Sequence, residues 1–137
     1  MHLFDETIIN DLYHEAESSE RKRSHLLLHK SHQEKVQRLI IAFVKGSFVD
    51  PHYHELPGQW EMFIVVQGVL RIKLYDDKGN IIKSFEVGQS LPVSIVEFQP
   101  GDIHSVECVS ERALMMEVKE GPFDPHYAKA FPHWLSV

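Results

Sequence analysis

The 137-residue chain predicts an all-β fold, a small barrel or sandwich with a short N-terminal helix and an irregular C-terminal arm. Three observations carry this expectation. From Gln37 to Lys119 the apolar residues come in short runs rich in Val, Ile and Phe, broken at near-regular spacing by Gly, Pro, Asp and Asn. Helical periodicity is confined to the N-terminus. The final segment carries Pro122, Pro125 and Pro132, which exclude a long helix there. One domain is expected: residues 1–30 as helix and basic arm, 31–120 as barrel, and 121–137 as an arm packed on the barrel.

In chain order, Ile8, Ile9, Leu12, Tyr13 and Ala16 form one apolar stripe, and Asp5 is a fitting N-cap for a helix over 5–19. Arg21-Lys22-Arg23 then leads into a short strand, either as a solvated lead-in or as an anion-contacting arm. Helix and strand compete over residues 37–44; Lys45-Gly46 follows as a turn and favours a strand from about Arg38. Further strands are expected over 48–54, 60–67, 69–75, 81–86, 94–98, 103–109 and 113–119. Asp76-Asp77-Lys78-Gly79-Asn80 closes a hairpin. In strand 60–67, Glu61, Phe63 and Val65 share one face and Met62, Ile64 and Val66 the other. With Glu61 inward, the outer apolar face needs a cover: the helix, or a second copy in a homodimer.

Composition excludes several classes. Lys plus Arg number 14 against 20 Asp plus Glu, a net charge of −6, and no basic block suggests nucleic acid. No apolar run reaches the ~18–20 residues of a membrane span. The single Cys108 excludes an intrachain disulfide framework and reads as a small buried hydrophobe. Residues 1–20 lack an apolar leader, so a cytoplasmic setting is expected.

The chemistry centres on Pro51-His52-Tyr53-His54-Glu55-Leu56-Pro57-Gly58-Gln59-Trp60-Glu61. On a strand, His52 and His54 point to one side and Tyr53 to the other. A bend at Pro57-Gly58 brings the Glu61 carboxylate beside both imidazoles. Two histidines and a carboxylate on strands make a site for a divalent transition metal.

The full spacing, Gly46-x5-His52-x-His54-x6-Glu61-x6-Gly68 with a later Pro100-Gly101-Asp102-Ile103-His104, resembles the two cupin motifs. That resemblance implies a double-stranded β-helix, or jelly-roll, barrel in which His52, His54, Glu61 and His104 bind one ion: Fe, Mn, Ni or Zn. The chain departs from the common pattern in a longer loop between His54 and Glu61, in Phe98 where proline is usual, and in Cys108 where asparagine is usual. A wider resemblance, through Arg21-Lys22-Arg23, Leu28-His29, Val36-Gln37-Arg38-Leu39, Gln59-Trp60-Glu61 and Glu117-Val118-Lys119-Glu120-Gly121-Pro122-Phe123-Asp124-Pro125, is to the WbuC family of cupin-fold metalloproteins. It implies a setting in surface-polysaccharide biosynthesis and marks His29, with Arg21 and Arg23, as substrate residues.

Glu117 and Lys119 share a face of the last strand and are the candidate catalytic pair; a salt bridge from Glu117 to Arg21 or Arg23 is the structural alternative. His25, His32, His126 and His133 read as surface or packing residues, and Trp60 as outer packing. The C-terminal arm is expected to wall the pocket, with Glu120 and Asp124 paired to Arg21 and Arg23. Two function classes follow. One is an enzyme, an isomerase or epimerase of a sugar derivative or an Fe-dependent dioxygenase; the other is a metal-dependent module that senses a small anionic or sugar-derived ligand.

Overall fold

The computed structural model describes residues 1–136. Helix α1 (Glu6–Ser18) starts where the Asp5 side chain accepts a hydrogen bond from the Ile8 backbone N–H at 3.1 Å. Nine strands follow: β1 (Arg23–Leu27), β2 (Val36–Val44), β3 (Phe48–His52), β4 (Glu61–Gln67), β5 (Val69–Tyr75), β6 (Ile81–Gly88), β7 (Ile95–Phe98), β8 (Ile103–Cys108) and β9 (Arg112–Glu120). They form two antiparallel sheets, ordered β1-β2-β9-β4-β7 and β3-β8-β5-β6.

The main core lies between the sheets, where Leu39, Ile41, Phe63, Leu70, Ile72 and Val106 are among the buried residues. A second, smaller core lies outside the five-stranded sheet: Leu12, Tyr13 and Ala16 of α1 pack on Ile40, Ala42 and Leu114. This resolves the helix–strand competition at residues 37–44. β2 is apolar on both faces because one looks into the barrel and the other is roofed by α1. α1 sits over β1 and β2 and reaches β4 through Tyr13, whose hydroxyl donates to Gln67 Oε1 at 2.7 Å. The outer face of β4 is left partly open, with Met62 and Ile64 half-buried and Val66 41% exposed.

β3 is shorter than expected. Its pairing with β8 shifts register between Val49 and His52, where Pro51 interrupts the strand. Tyr53 pairs instead with Ala130 of the C-terminal arm, N–H to O in both directions at 3.0 and 2.9 Å. The arm is also tied by Gly121 N–H to Lys35 O and Phe123 N–H to His32 O, each 2.7 Å. Its one regular element is a 3-10 turn, Pro125–Tyr127, and Trp134 packs on Tyr75 with ring centroids 5.4 Å apart. At the β4–β5 junction Gly68 has φ +69, and a Cβ there would run into the backbone at Arg112 and Ala113.

Candidate metal centre and its cavity

Pairing across strands, not sequence proximity, assembles the site. His52 on β3 stands opposite His104 on β8. Glu61 opens β4 between Lys119 of β9 and Phe98 of β7. His54 follows the Tyr53–Ala130 bridge, and its carbonyl accepts from Gly101 N–H at 2.8 Å. The ligand atoms of His52, His54, Glu61 and His104 all lie within 4.8 Å of one another, and all four side chains are buried.

Hydrogen bonding fixes which ring atoms are free. His52 Nδ1 lies 2.8 Å from Asp50 O, and His104 Nδ1 lies 2.9 Å from Asp102 O. A carbonyl only accepts, so both rings carry their proton on Nδ1 and turn Nε2 inward. For His104 this leaves a lone pair 2.9 Å from Glu61 Oε1, acceptor against acceptor in a neutral ring. His54 Nε2 lies 2.9 Å from Glu61 Oε2, out of line for a hydrogen bond, and both of its ring nitrogens are buried without a partner. Buried polar atoms left this way are costly. A divalent cation among them would take one nitrogen from each of the three rings together with the Glu61 carboxylate. Atoms bound side by side to an octahedral ion at ~2.1 Å lie about 3.0 Å apart, close to the separations found here. The donor set of three imidazoles and one carboxylate therefore fits a transition metal.

The electrostatics agree. Burial alone would raise the Glu61 pKa, but the His104 and His54 rings set against its two oxygens outweigh it and hold Glu61 below the ordinary carboxylate range. Burial, with repulsion from His104, presses His52 down to about 3, so it stays neutral and able to ligate. Phe98 stacks on His104 with centroids 3.8 Å apart and planes within 10°, and meets Phe63 edge-on at 5.1 Å.

A cavity of about 340 Å³ opens onto this centre. His52, His54 and Glu61 face it, while His104 is fully buried beneath. Arg21, Arg23, His29, Glu117 and Lys119 all line the same cavity. Glu117 is 8% exposed; burial and then the Glu61 charge raise its pKa. Its ion-pair partner is Lys119 Nζ at 3.5 Å, rather than Arg21 or Arg23. Arg23 Nη1 donates instead to Arg21 O and Phe48 O, at 3.4 and 3.3 Å, closing the seam between β1 and β3. The expected pairing of these arginines with Glu120 and Asp124 does not form among the described residues. Asp124 caps the 3-10 turn by accepting from His126 N–H, and Glu120 lies against Gly58.

The cavity also contains His25, His32 and Gln37, which sequence reasoning set aside or missed, and Phe123 and Lys129 of the C-terminal arm that was expected to wall it. A signal existed for His25, since Arg23, His25 and Leu27 alternate at period two on β1 and all line the cavity. None existed for Lys129, whose place depends on the Tyr53–Ala130 bridge. Cys108 belongs to the core, with its thiol pushed up to about 11 by burial.

A family model described as a domain of unknown function, DUF6016, matches residues 4–87. The chain belongs to this family. No curated protein matches the sequence. Solved structures do share its shape. A variant of oxalate decarboxylase from Bacillus subtilis is 20% identical, with a TM-score of 0.59 over 78% of this chain and 27% of that one. KdgF from Halomonas sp. is 15% identical, with a TM-score of 0.59 over 76% and 83% of the two chains. The conserved SPY1581 protein of unknown function from Streptococcus pyogenes is 14% identical, with a TM-score of 0.57 over 77% and 80%. The chain spans about a quarter of the length of the oxalate decarboxylase. At such identities the likeness concerns the fold, and the fold is a small cupin barrel. The Bacillus subtilis oxalate decarboxylase has Mn(II) centres.

Proposed function

We propose that this DUF6016 chain is a metal-dependent enzyme that moves a proton on a small anionic or sugar-derived substrate, an isomerase or epimerase. The observation that carries the reading is Glu117, a buried carboxyl with a raised pKa in the same cavity as the three histidines and Glu61. A buried carboxyl whose pKa is raised is suited to take up and release a proton, which a pure sensor does not need. Lys119 Nζ, 3.5 Å away, stabilises the anion when the proton leaves. A divalent ion held by His52, His54, Glu61 and His104 supplies Lewis-acid polarisation of a substrate oxygen. Gln37 lines the cavity with its Oε1 buried and unpartnered, an acceptor that a substrate hydroxyl can satisfy. The resemblance to WbuC-family proteins makes sugar derivatives of polysaccharide biosynthesis the first class to screen, in a cytoplasmic setting.

The test is solvent-deuterium exchange. Protein loaded separately with Fe(II), Mn(II), Ni(II) or Zn(II) is incubated in D₂O with sugars, sugar acids and sugar phosphates, and exchange at carbon is followed by NMR. Glu117→Gln is expected to lower the exchange rate by about 10²-fold or more while metal content stays unchanged. Equal exchange by Glu117→Gln and wild type, or no exchange with any metal, defeats the proposal.

A further inference from the structure

Arg21, Arg23, His25 and Lys129 all line the cavity, with the two arginines at or just before the start of β1. They come from three segments: the lead-in to β1, β1 itself and the C-terminal arm. None has a carboxylate partner among the described residues; the ion pairs around them form elsewhere, as in Lys119–Glu117 and Arg38–Glu34. On a chain of net charge −6, three permanent cations gathered unpaired in a cavity need an explanation. Burial and mutual repulsion act on them together. Burial and then the Arg23 charge lower the Lys129 pKa, and burial followed by Arg21, Arg23, Lys119 and Lys129 presses His25 down to about 4.

The backbone builds this arrangement deliberately. Lys22 adopts φ +55, left-handed for a residue with a side chain, between the two arginines. Its own ammonium turns away toward Gly46, while Arg21 and Arg23 line the cavity. The Arg21 carbonyl is held by Ser47 Oγ at 2.8 Å and by Arg23 Nη1. Ala130, next to Lys129, is clamped to Tyr53 by two backbone hydrogen bonds. The same bridge therefore fixes a metal-ligand strand and a cavity lysine.

Past the far end of β1 the lining differs in character. His29 and His32 lie with centroids 6.1 Å apart, and His32 packs on Phe123 at 4.8 Å. From Arg23 to the end of β1 at Leu27 the strand runs about 13 Å, so the two ends are separate places along one ligand. A monocarboxylate neutralises one charge and leaves two cations exposed to each other. A dianion does better, and the tetrahedral oxygens of a phosphate can take guanidinium and ammonium donors together.

We propose that Arg21, Arg23, His25 and Lys129 form a phosphate subsite, so that the substrate carries a phosphate monoester at this end while the atoms to be transformed face the metal centre. The proposal deepens the function above and rests on it for the second half of that statement; the subsite itself stands on the cation cluster. His25, neutral, supplies a hydrogen bond rather than charge. Arg23 has a second role in closing the β1–β3 seam, so Arg21 and Lys129 are the residues to vary.

The experiment titrates the metal-free 137-residue protein with inorganic phosphate, and in parallel with acetate, by calorimetry and by ¹H–¹⁵N NMR. Phosphate is expected to bind saturably and about tenfold or more tightly than acetate, with shifts at residues 21–25 and 128–130. Arg21→Gln and Lys129→Gln are each expected to weaken phosphate about five- to tenfold, and reloading with Zn(II) should give wild-type metal content in both. Absence of saturable phosphate binding, or equal affinity in the Arg21→Gln/Lys129→Gln double variant, overturns the subsite. Wild-type protein that binds phosphate but takes up no metal supports the subsite and defeats the metal-centred function instead.

Discussion

Replacing Phe98 tests whether the aromatic stack under His104 belongs to the metal centre or only to the core. Phe98 is 2% exposed, lies 3.8 Å from His104 in a parallel stack and meets Phe63 edge-on. Phe98→Ala removes a buried ring and leaves a cavity, a loss of about 3–5 kcal/mol. A chain of this length has an unfolding entropy of about 0.3 kcal/mol per kelvin, so Tm should fall by about 10–15 °C. Phe98→Leu is the sharper probe. It keeps apolar volume, costs about 1–2 kcal/mol, and removes the flat surface that holds the imidazole plane. The His104 Nδ1 bond to Asp102 O then has to orient the ring alone. Metal affinity, measured by competition with a chromophoric chelator on folded protein, is expected to fall about tenfold or more in Phe98→Leu. If Phe98→Leu binds metal as tightly as wild type while losing stability, the stack is packing and the account of His104 is wrong.

The remaining predictions concern pH and assembly. In metal-free protein His52 stays neutral down to about 3, whereas the unfolded ring takes its proton near 6.5, so its contribution is complete above pH 6.5 and is lost as pH falls toward 3. At pH 5 the loss amounts to about 2 kcal/mol relative to pH 7, read as a shift in urea midpoint, and His52→Asn should reduce that pH dependence; an unchanged dependence refutes it. We also expect a homodimer of twice 15.9 kDa through the outer face of β4 and β7, where Val66 is 41% and Ile95 55% exposed; light scattering should find Ile95→Lys monomeric, and a monomeric wild type at micromolar concentration ends the idea.

What could be read from the sequence divides along a physical line. His52 and His54 were legible as a pair because a two-residue spacing keeps them on one side, and Glu61 because it opens the strand after the Pro57-Gly58 bend; cross-strand pairing then completes their convergence. His104 is placed by the β3–β8 pairing, a contact across fifty residues, and only the resemblance to the cupin motifs joined it to the set. The apolar stripe of α1 was legible too, but not its destination, since β2 and β4 both offer apolar outer faces. The small Ala42 and the flanking Ile40 and Leu114 give the patch that α1 occupies. The departures from the common motif prove informative in different ways. Phe98 became part of the site through stacking, and the long loop after His54 sends Gln59 to donate to Tyr127 O at 2.8 Å, tying the mouth to the C-terminal arm. Cys108 simply packs in the core.

The metal ligands and the cation cluster follow different rules, and this bears on function. A ligand set must be made of particular atoms at particular spacings, so residue type and local period reveal it. A substrate surface needs only donors of the right sign in the right volume, and these can arrive from any segment the topology delivers. Here Arg21 arrives on the lead-in to an edge strand, Arg23 at that strand's first residue, and Lys129 on an irregular arm held by one two-bond bridge. Both suppliers lie outside the paired interior of the barrel, where substitutions disturb the core least. The cavity therefore joins four buried ligands, two of them set opposite each other by the β3–β8 pairing, to cations delivered by an edge strand and an arm. That division is what an enzyme needs if the chemistry at the metal is fixed and the substrate group it recognises is set separately.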